Sequence, residues 1–111
     1  MGRTYLGEFE ELVLLTVASR KEEAYGAALT QTIHQQTGRI VVLSAVHVAL
    51  YRLEEKGLVT SSLGGATQER GGRRKRLFRI TAYGLQVLTE IRQVREELWQ
   101  LIPKNIQPFS L

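Results

Sequence analysis

Six of the fifteen basic side chains fall within ten positions: Arg70, Arg73, Arg74, Lys75, Arg76 and Arg79, in the stretch QERGGRRKRLFRIT from Gln68 to Thr81. Guanidinium and ammonium groups at this density suit one kind of chemistry. They hold the oxygens of a polyanion, and on a nucleic acid each phosphate they neutralise releases counterions. Gly71 and Gly72 lie in their midst and would let the chain come close to a sugar–phosphate backbone. The charge is local. The other nine Lys and Arg are outnumbered by eleven glutamates, so the net charge of +4 arises wholly from this patch.

Other chemistry is poorly served. The chain has no cysteine and no aspartate, and its two histidines, His34 and His47, stand apart. No Glu–His or Ser–His spacing suggests general-base or nucleophilic catalysis, so no enzyme is expected. The glycine-rich stretch lacks the Gly-Lys-Ser/Thr of a nucleotide-binding loop. Without thiols, disulfides and thiolate metal sites are excluded, and no metal or cofactor is expected. No run of 18 apolar residues exists, so no membrane span is expected. The opening MGRTYLGEFE has no apolar signal core, which suggests a cytoplasmic location. With 111 residues, 43% hydrophobic and 23% charged, the chain should fold as one small domain whose modest core would gain from oligomerisation.

The elements that position the patch can be read from periodicity. Leu6, Phe9, Leu12, Val13, Thr16 and Val17 predict a helix over 6–19, with Glu8, Glu10 and Glu11 at its favoured end. Tyr25, Leu29, Thr32, Ile33 and Gln36 mark a second helix over 24–37, stopped by Gly38. Its small residues Gly26, Ala27 and Ala28 invite close approach. RIVVL (39–43) reads as a short strand or an extended linker. Ser44 is the expected N-cap of a third helix running to Lys56, with Val46, Ala49, Leu50 and Leu53 inward and Gly57 at its end. LVTSSL (58–63) and KRLFRI (75–80) read as two strands around a glycine-rich turn, hence a hairpin. Phe78 and Ile80 would anchor it. Thr81 should cap a last helix reaching Ile102. There Val87, Ile91, Val94, Leu98 and Leu101 recur at steps of 4, 3, 4 and 3, a heptad seam that Leu88 and Ile102 widen.

The predicted class is therefore mainly α with a small β-hairpin, in the order of a winged helix-turn-helix followed by a long C-terminal dimerisation helix. The expected divisions are a DNA-binding domain at 4–82, the dimerisation helix at 83–102 and a tail at 103–111. The hairpin is the wing, and Arg70, Gly71, Gly72, Arg73, Arg74, Lys75 and Arg76 would grip backbone. The third helix would enter the major groove with Ser44, Ala45, His47, Val48, Tyr51 and Arg52 outward. Ala45 and Val48 suit thymine methyls. His47 could read a base, make a pH-sensitive contact or fill space. Tyr51 could touch backbone or pack under the wing. The expected dimer interface is Val87, Leu88, Ile91, Val94, Leu98, Trp99, Leu101 and Ile102.

Four segments, AYGAAL (24–29), SAVHVALYRLEEKGLV (44–59), ERGGRRKRLFRIT (69–81) and TAYGLQVL (81–88), together resemble the PadR family of bacterial transcriptional regulators, over roughly residues 4–100. The chain is similar to the short branch with a single C-terminal helix. The resemblance implies a homodimeric repressor of its own or a neighbouring operon, with double-stranded DNA as partner. It also implies a small planar apolar effector held between protomers, for which Trp99 could serve as an aromatic wall, its plainer role being dimer packing. Many relatives carry Tyr where this chain has His47, and Gly near Ser44 or Ala45, so family roles at those positions do not transfer. The alternative reading is a winged-helix module that binds RNA or a protein.

Overall fold

The computed structural model describes residues 5–20, 24–64 and 75–106. The elements are α1 (Glu8–Ser19), α2 (Gly26–Thr37), α3 (Leu43–Glu55), β1 (Val59–Leu63), β2 (Arg76–Ile80) and α4 (Ala82–Gln100). The fold is a mainly helical winged helix with one antiparallel hairpin.

Local chemistry explains most boundaries. Three glutamates sit in the first turn of α1, at the positive end of the helix dipole. Thr16 is buried in that helix, and its hydroxyl is satisfied by donating to the Leu12 carbonyl at 2.7 Å. Gly38 closes α2 in the left-handed region, φ 73°, where a side chain would be strained. The end of α3 is tighter. Gly57 has φ 80°, its N–H donates to the Glu54 carbonyl at 3.0 Å, and the Leu58 N–H donates to the Leu53 carbonyl at 2.9 Å. This pair of bonds, with Leu53 and Leu58 both fully buried, is a Schellman closure. It turns the chain directly from α3 into β1.

Ser44 is not the N-cap of α3. The helix starts at Leu43 and its N-cap is Val42, whose carbonyl accepts from Val46 N at 3.2 Å. Val41 packs against the core just before the helix, so the chain enters by burying an apolar residue. Residues 39–42 form no strand and are the extended linker.

The hairpin pairs Val59 with Ile80, Ser61 with Phe78 and Leu63 with Arg76. Its base is apolar: Val59 and Phe78 are buried and Ile80 packs on the core. Leu63, at the far end of β1, is half exposed because the strand has by then left the core. The segment before α2 joins the sheet edge. Phe78 N–H donates to the Ala24 carbonyl at 2.8 Å, and Tyr25 bridges Leu77.

Thr81 caps α4 as expected, accepting from Gly84 N–H at 2.9 Å and donating to the Gly57 carbonyl at 2.8 Å. Gly84 is buried against the Leu58 carbonyl and Ile80, and a methyl group there would strike both. The first turns of α4 dock by this contact and by Val87 and Leu88. The Glu11–Arg95 ion pair, 2.8 Å, ties the helix once more to α1. Beyond it α4 projects. Its 19 residues extend about 28 Å. The radius of gyration is 17.1 Å, where about 13 Å is usual for this length. The helix ends at Gln100, so Leu101 and Ile102 lie in the turn that follows.

One core serves α1, α2, α3, the hairpin base and the start of α4. Leu14, Leu29, Ile33, Leu50, Leu53 and Leu58 are its largest fully buried members.

Candidate nucleic-acid interface

The inward stripe of α3, Val46, Ala49, Leu50 and Leu53, is almost completely buried. That fixes the helix rotation. At 100° per residue the opposite side falls on Ser44, Val48 and Tyr51, with Ala45 and Arg52 on one flank and His47 on the other. Ser44, Ala45, Val48, Tyr51 and Arg52 are all exposed.

His47 is half-buried. Its imidazole lies over Gly26 at the start of α2, where even a methyl group would collide with the ring. Gly26 therefore does what its small size suggested, admitting a neighbouring helix, and the space is taken by His47. Tyr51 stands beside it, ring centroids 6.3 Å apart, and meets Phe78 edge-on at 6.2 Å. Tyr51 thus packs under the wing while its outer edge stays exposed.

The wing base is positioned by polar contacts. Arg76 Nη1 donates to Ser61 Oγ at 2.9 Å, and that hydroxyl donates to Glu54 Oε2 at 2.6 Å. The chain of bonds links the wing to the last turn of α3. Lys75 Nζ sits 4.1 Å from the centre of the Tyr25 ring, a cation–π contact that ties the second arm to α2. Arg70, Gly71, Gly72, Arg73 and Arg74 lie outside the described residues.

Two glutamates of α1 border this face, and both are paired. Glu10 accepts from Lys56 Nζ at 2.7 Å, with Arg52 3.9 Å away. Glu8 meets Arg39 at 2.7 Å, and Arg39 also stacks over Phe9. Such exposed pairs contribute little stability, about 0–1 kcal/mol. Their consequence here is electrostatic: they neutralise the two α1 carboxylates beside the reading helix, while Glu55 in the last turn of α3 stays exposed.

The apolar seam of α4 divides in two. Val87 and Leu88 are 2% and 7% exposed, so they belong to the protomer's own core and not to an outer interface. Ile91 packs against that core as well, and Val94 is half-buried. Leu98, Trp99, Leu101 and Ile102 are exposed, Trp99 by 72%. A groove of about 230 Å³ runs along Ile91, Val94 and Leu98 toward Tyr5. A shallower one of about 190 Å³ lies between Arg95, Leu98, Trp99 and Ile102.

Sequence reasoning passed over Val42, which is 62% exposed at the head of α3, and Tyr5 on the α4 groove. Val42 was hidden in the apolar run RIVVL, where no period separates inward from outward residues. Among the described residues no group of acidic or His side chains could hold a metal, and no helix is long and apolar enough to cross a membrane.

Three helices leading through a Schellman turn into a hairpin, with the third helix exposed beside it, define a winged helix-turn-helix. The family model described as the transcriptional regulator PadR-like family matches residues 14–90. This chain belongs to that family of DNA-binding transcriptional regulators. Solved structures share the fold. A PadR-like transcription factor from Bacteroides fragilis is 24% identical, covers 85% of both chains and superposes with a TM-score of 0.72. A PadR-like regulator from Bacillus cereus is 22% identical over 91% of this chain and 93% of its own, TM-score 0.69. One from Eggerthella lenta is 26% identical over 88% of each, TM-score 0.63. Among curated proteins no sequence matches this chain significantly.

Proposed function

We propose that the protein acts as a homodimer that binds an operator in double-stranded DNA and represses the adjoining genes in the cytoplasm. The observation that carries this reading is the pairing of an exposed third helix with an apolar seam on the projecting half of α4. An isolated protomer would leave Leu98, Trp99, Leu101 and Ile102 in water. A second copy packed there would cover them and present a second reading helix. Two such helices fit successive major-groove faces of a two-fold operator.

In this mechanism α3 reads the groove and the wing holds flanking phosphates. The protein then occupies the promoter in place of polymerase. The two α4 grooves are each smaller than an ordinary ligand site of roughly 300 Å³ or more. Joined across a dimer axis, with Trp99 as a wall, they would suit a flat apolar effector. Binding there would change the spacing of the reading helices. Half-sites on DNA have fixed separation, so a shift of a few ångströms would release one of them.

Run-off transcription from the promoter upstream of the protein's own gene tests the sign of regulation. Transcript should fall as protein is added. Unchanged or increased transcript, with the protein bound to that DNA, would contradict repression.

A further inference from the structure

The operator can be described more closely from what the reading helix presents. This step rests on the proposed DNA-binding role of α3. The polar side chains expected to read donor and acceptor edges stand away from the head of the helix. His47 is folded onto Gly26, and Arg52 lies toward Glu10 on the flank. At the head of the helix the exposed side chains are Val42, Leu43, Ala45 and Val48, with Ser44 the one hydroxyl among them. Val42 is 62% and Val48 51% exposed.

Val42 is the extended N-cap, and Ala45 and Val48 follow it at steps of three in the first two turns, so together they span about 9 Å along the leading end of α3. Single exposed valines are ordinary. Ala45 and Val48 on the outward half of the helix, with Val42 at its tip, make an apolar leading edge, and that is a recognition feature. In the major groove one unmodified base carries an apolar group at its edge: thymine, with its C5-methyl. A span of about 9 Å covers two to three base steps of about 3.4 Å. Glu8 and Glu10 alongside are paired with cations, and Glu55, the exposed carboxylate of α3 itself, stands about two turns beyond Val48, away from this leading end.

We infer that Val42, Ala45 and Val48 recognise the C5-methyl groups of a short thymine-rich step in each half-site, and that specificity comes chiefly from methyl contacts. Hydrogen bonds to base edges play the smaller part.

The test uses the full-length protein and a duplex selected from a random pool made with thymine. Each selected thymine is then replaced by deoxyuridine, which keeps every hydrogen-bonding group and removes only the methyl. Affinity should fall about fourfold for each methyl lost at the contacted step, the equivalent of one buried methyl group. Placing 5-methylcytosine opposite guanine at that step should restore part of the loss relative to cytosine. Val48→Ala, an exposed change that leaves the fold intact, should weaken binding to the thymine duplex. It should no longer distinguish thymine from uracil at the base it touches, because the shared contact is gone. Equal affinity for thymine and uracil duplexes would overturn the inference and leave the regulator reading standing. Failure of any duplex to be selected over the random pool would overturn both.

Discussion

Leu98→Glu combined with Ile102→Glu should convert a dimer into a folded monomer and reduce operator affinity by about 10²–10⁴-fold. Both side chains are exposed on or just beyond the projecting half of α4, 58% and 46%. Replacing them removes no contact from the protomer core. In a dimer, however, the same positions would be covered, and four carboxylates would be forced together in an apolar seam. That cost exceeds what an interface of a few turns of helix can supply. The loss of DNA affinity follows from linkage. Once one reading helix is docked, the second is held at an effective concentration near millimolar, and a monomer forfeits that advantage. Ile91 is the wrong position for this experiment, although it lies on the same heptad seam. It packs against the core, so a glutamate there would disturb folding and assembly at once. Sedimentation velocity reads the assembly state, and circular dichroism shows that the protomer has kept its helices. A double variant that still sediments as a dimer would mean the seam on α4 is not the interface.

Arg73→Ala combined with Arg74→Ala should weaken binding to every duplex by roughly 10- to 30-fold at physiological salt, with little effect on the preference among sequences. The two residues lie outside the described part of the chain, and the expectation rests on their charge. Each phosphate contact contributes about 0.9 to the slope of log affinity against log salt, so the pair should lower that slope by roughly two. Arg76, at the start of β2, is held through Ser61 to Glu54 on the reading helix. The charge on Arg76 therefore has a defined position relative to α3. An unchanged salt slope would remove the wing from the binding mechanism.

The order of elements was legible in the sequence because each element carries its own period, and because Gly38, Gly57 and Thr81 punctuate three of the boundaries. Gly57 is the plainest case. Its left-handed φ of 80° is what allows the Leu53–Leu58 closure that delivers β1 beside α3. What periodicity cannot give is the identity of the surface on the other side. The steps 87, 91, 94, 98 and 101 form one seam along α4 and into the turn that follows it. Yet Val87 meets α4's own protomer while Leu98 faces outward, because the helix runs off the end of the core between them. His47 shows the same limit from the other direction. A helical wheel puts it near the outward side of α3, but the missing side chain of Gly26 opens a recess, and the imidazole occupies it. Ser44 is a good capping residue that went unused, since burial of Val41 set the start of the helix earlier. Each departure has one cause: a tertiary contact between segments distant in sequence decided what local preference left open.

The electrostatic reading and the structural one meet at the wing. Net charge outside residues 70–79 is negative, and the α1 glutamates beside α3, Glu8 and Glu10, are neutralised by Arg39 and Lys56. A polyanion approaching the head of the reading helix would thus meet positive charge on the hairpin and paired carboxylates on α1, with the exposed Glu55 at the far end of α3.

Fluorescence anisotropy of a labelled duplex from upstream of the protein's own gene, against a scrambled duplex of the same composition and at several salt concentrations, tests the central claim most directly. A sequence-reading regulator should bind the upstream duplex at least tenfold more tightly and lose affinity steeply as salt rises. Absence of binding to either duplex at low salt would contradict a DNA-binding role for the exposed third helix and its basic wing.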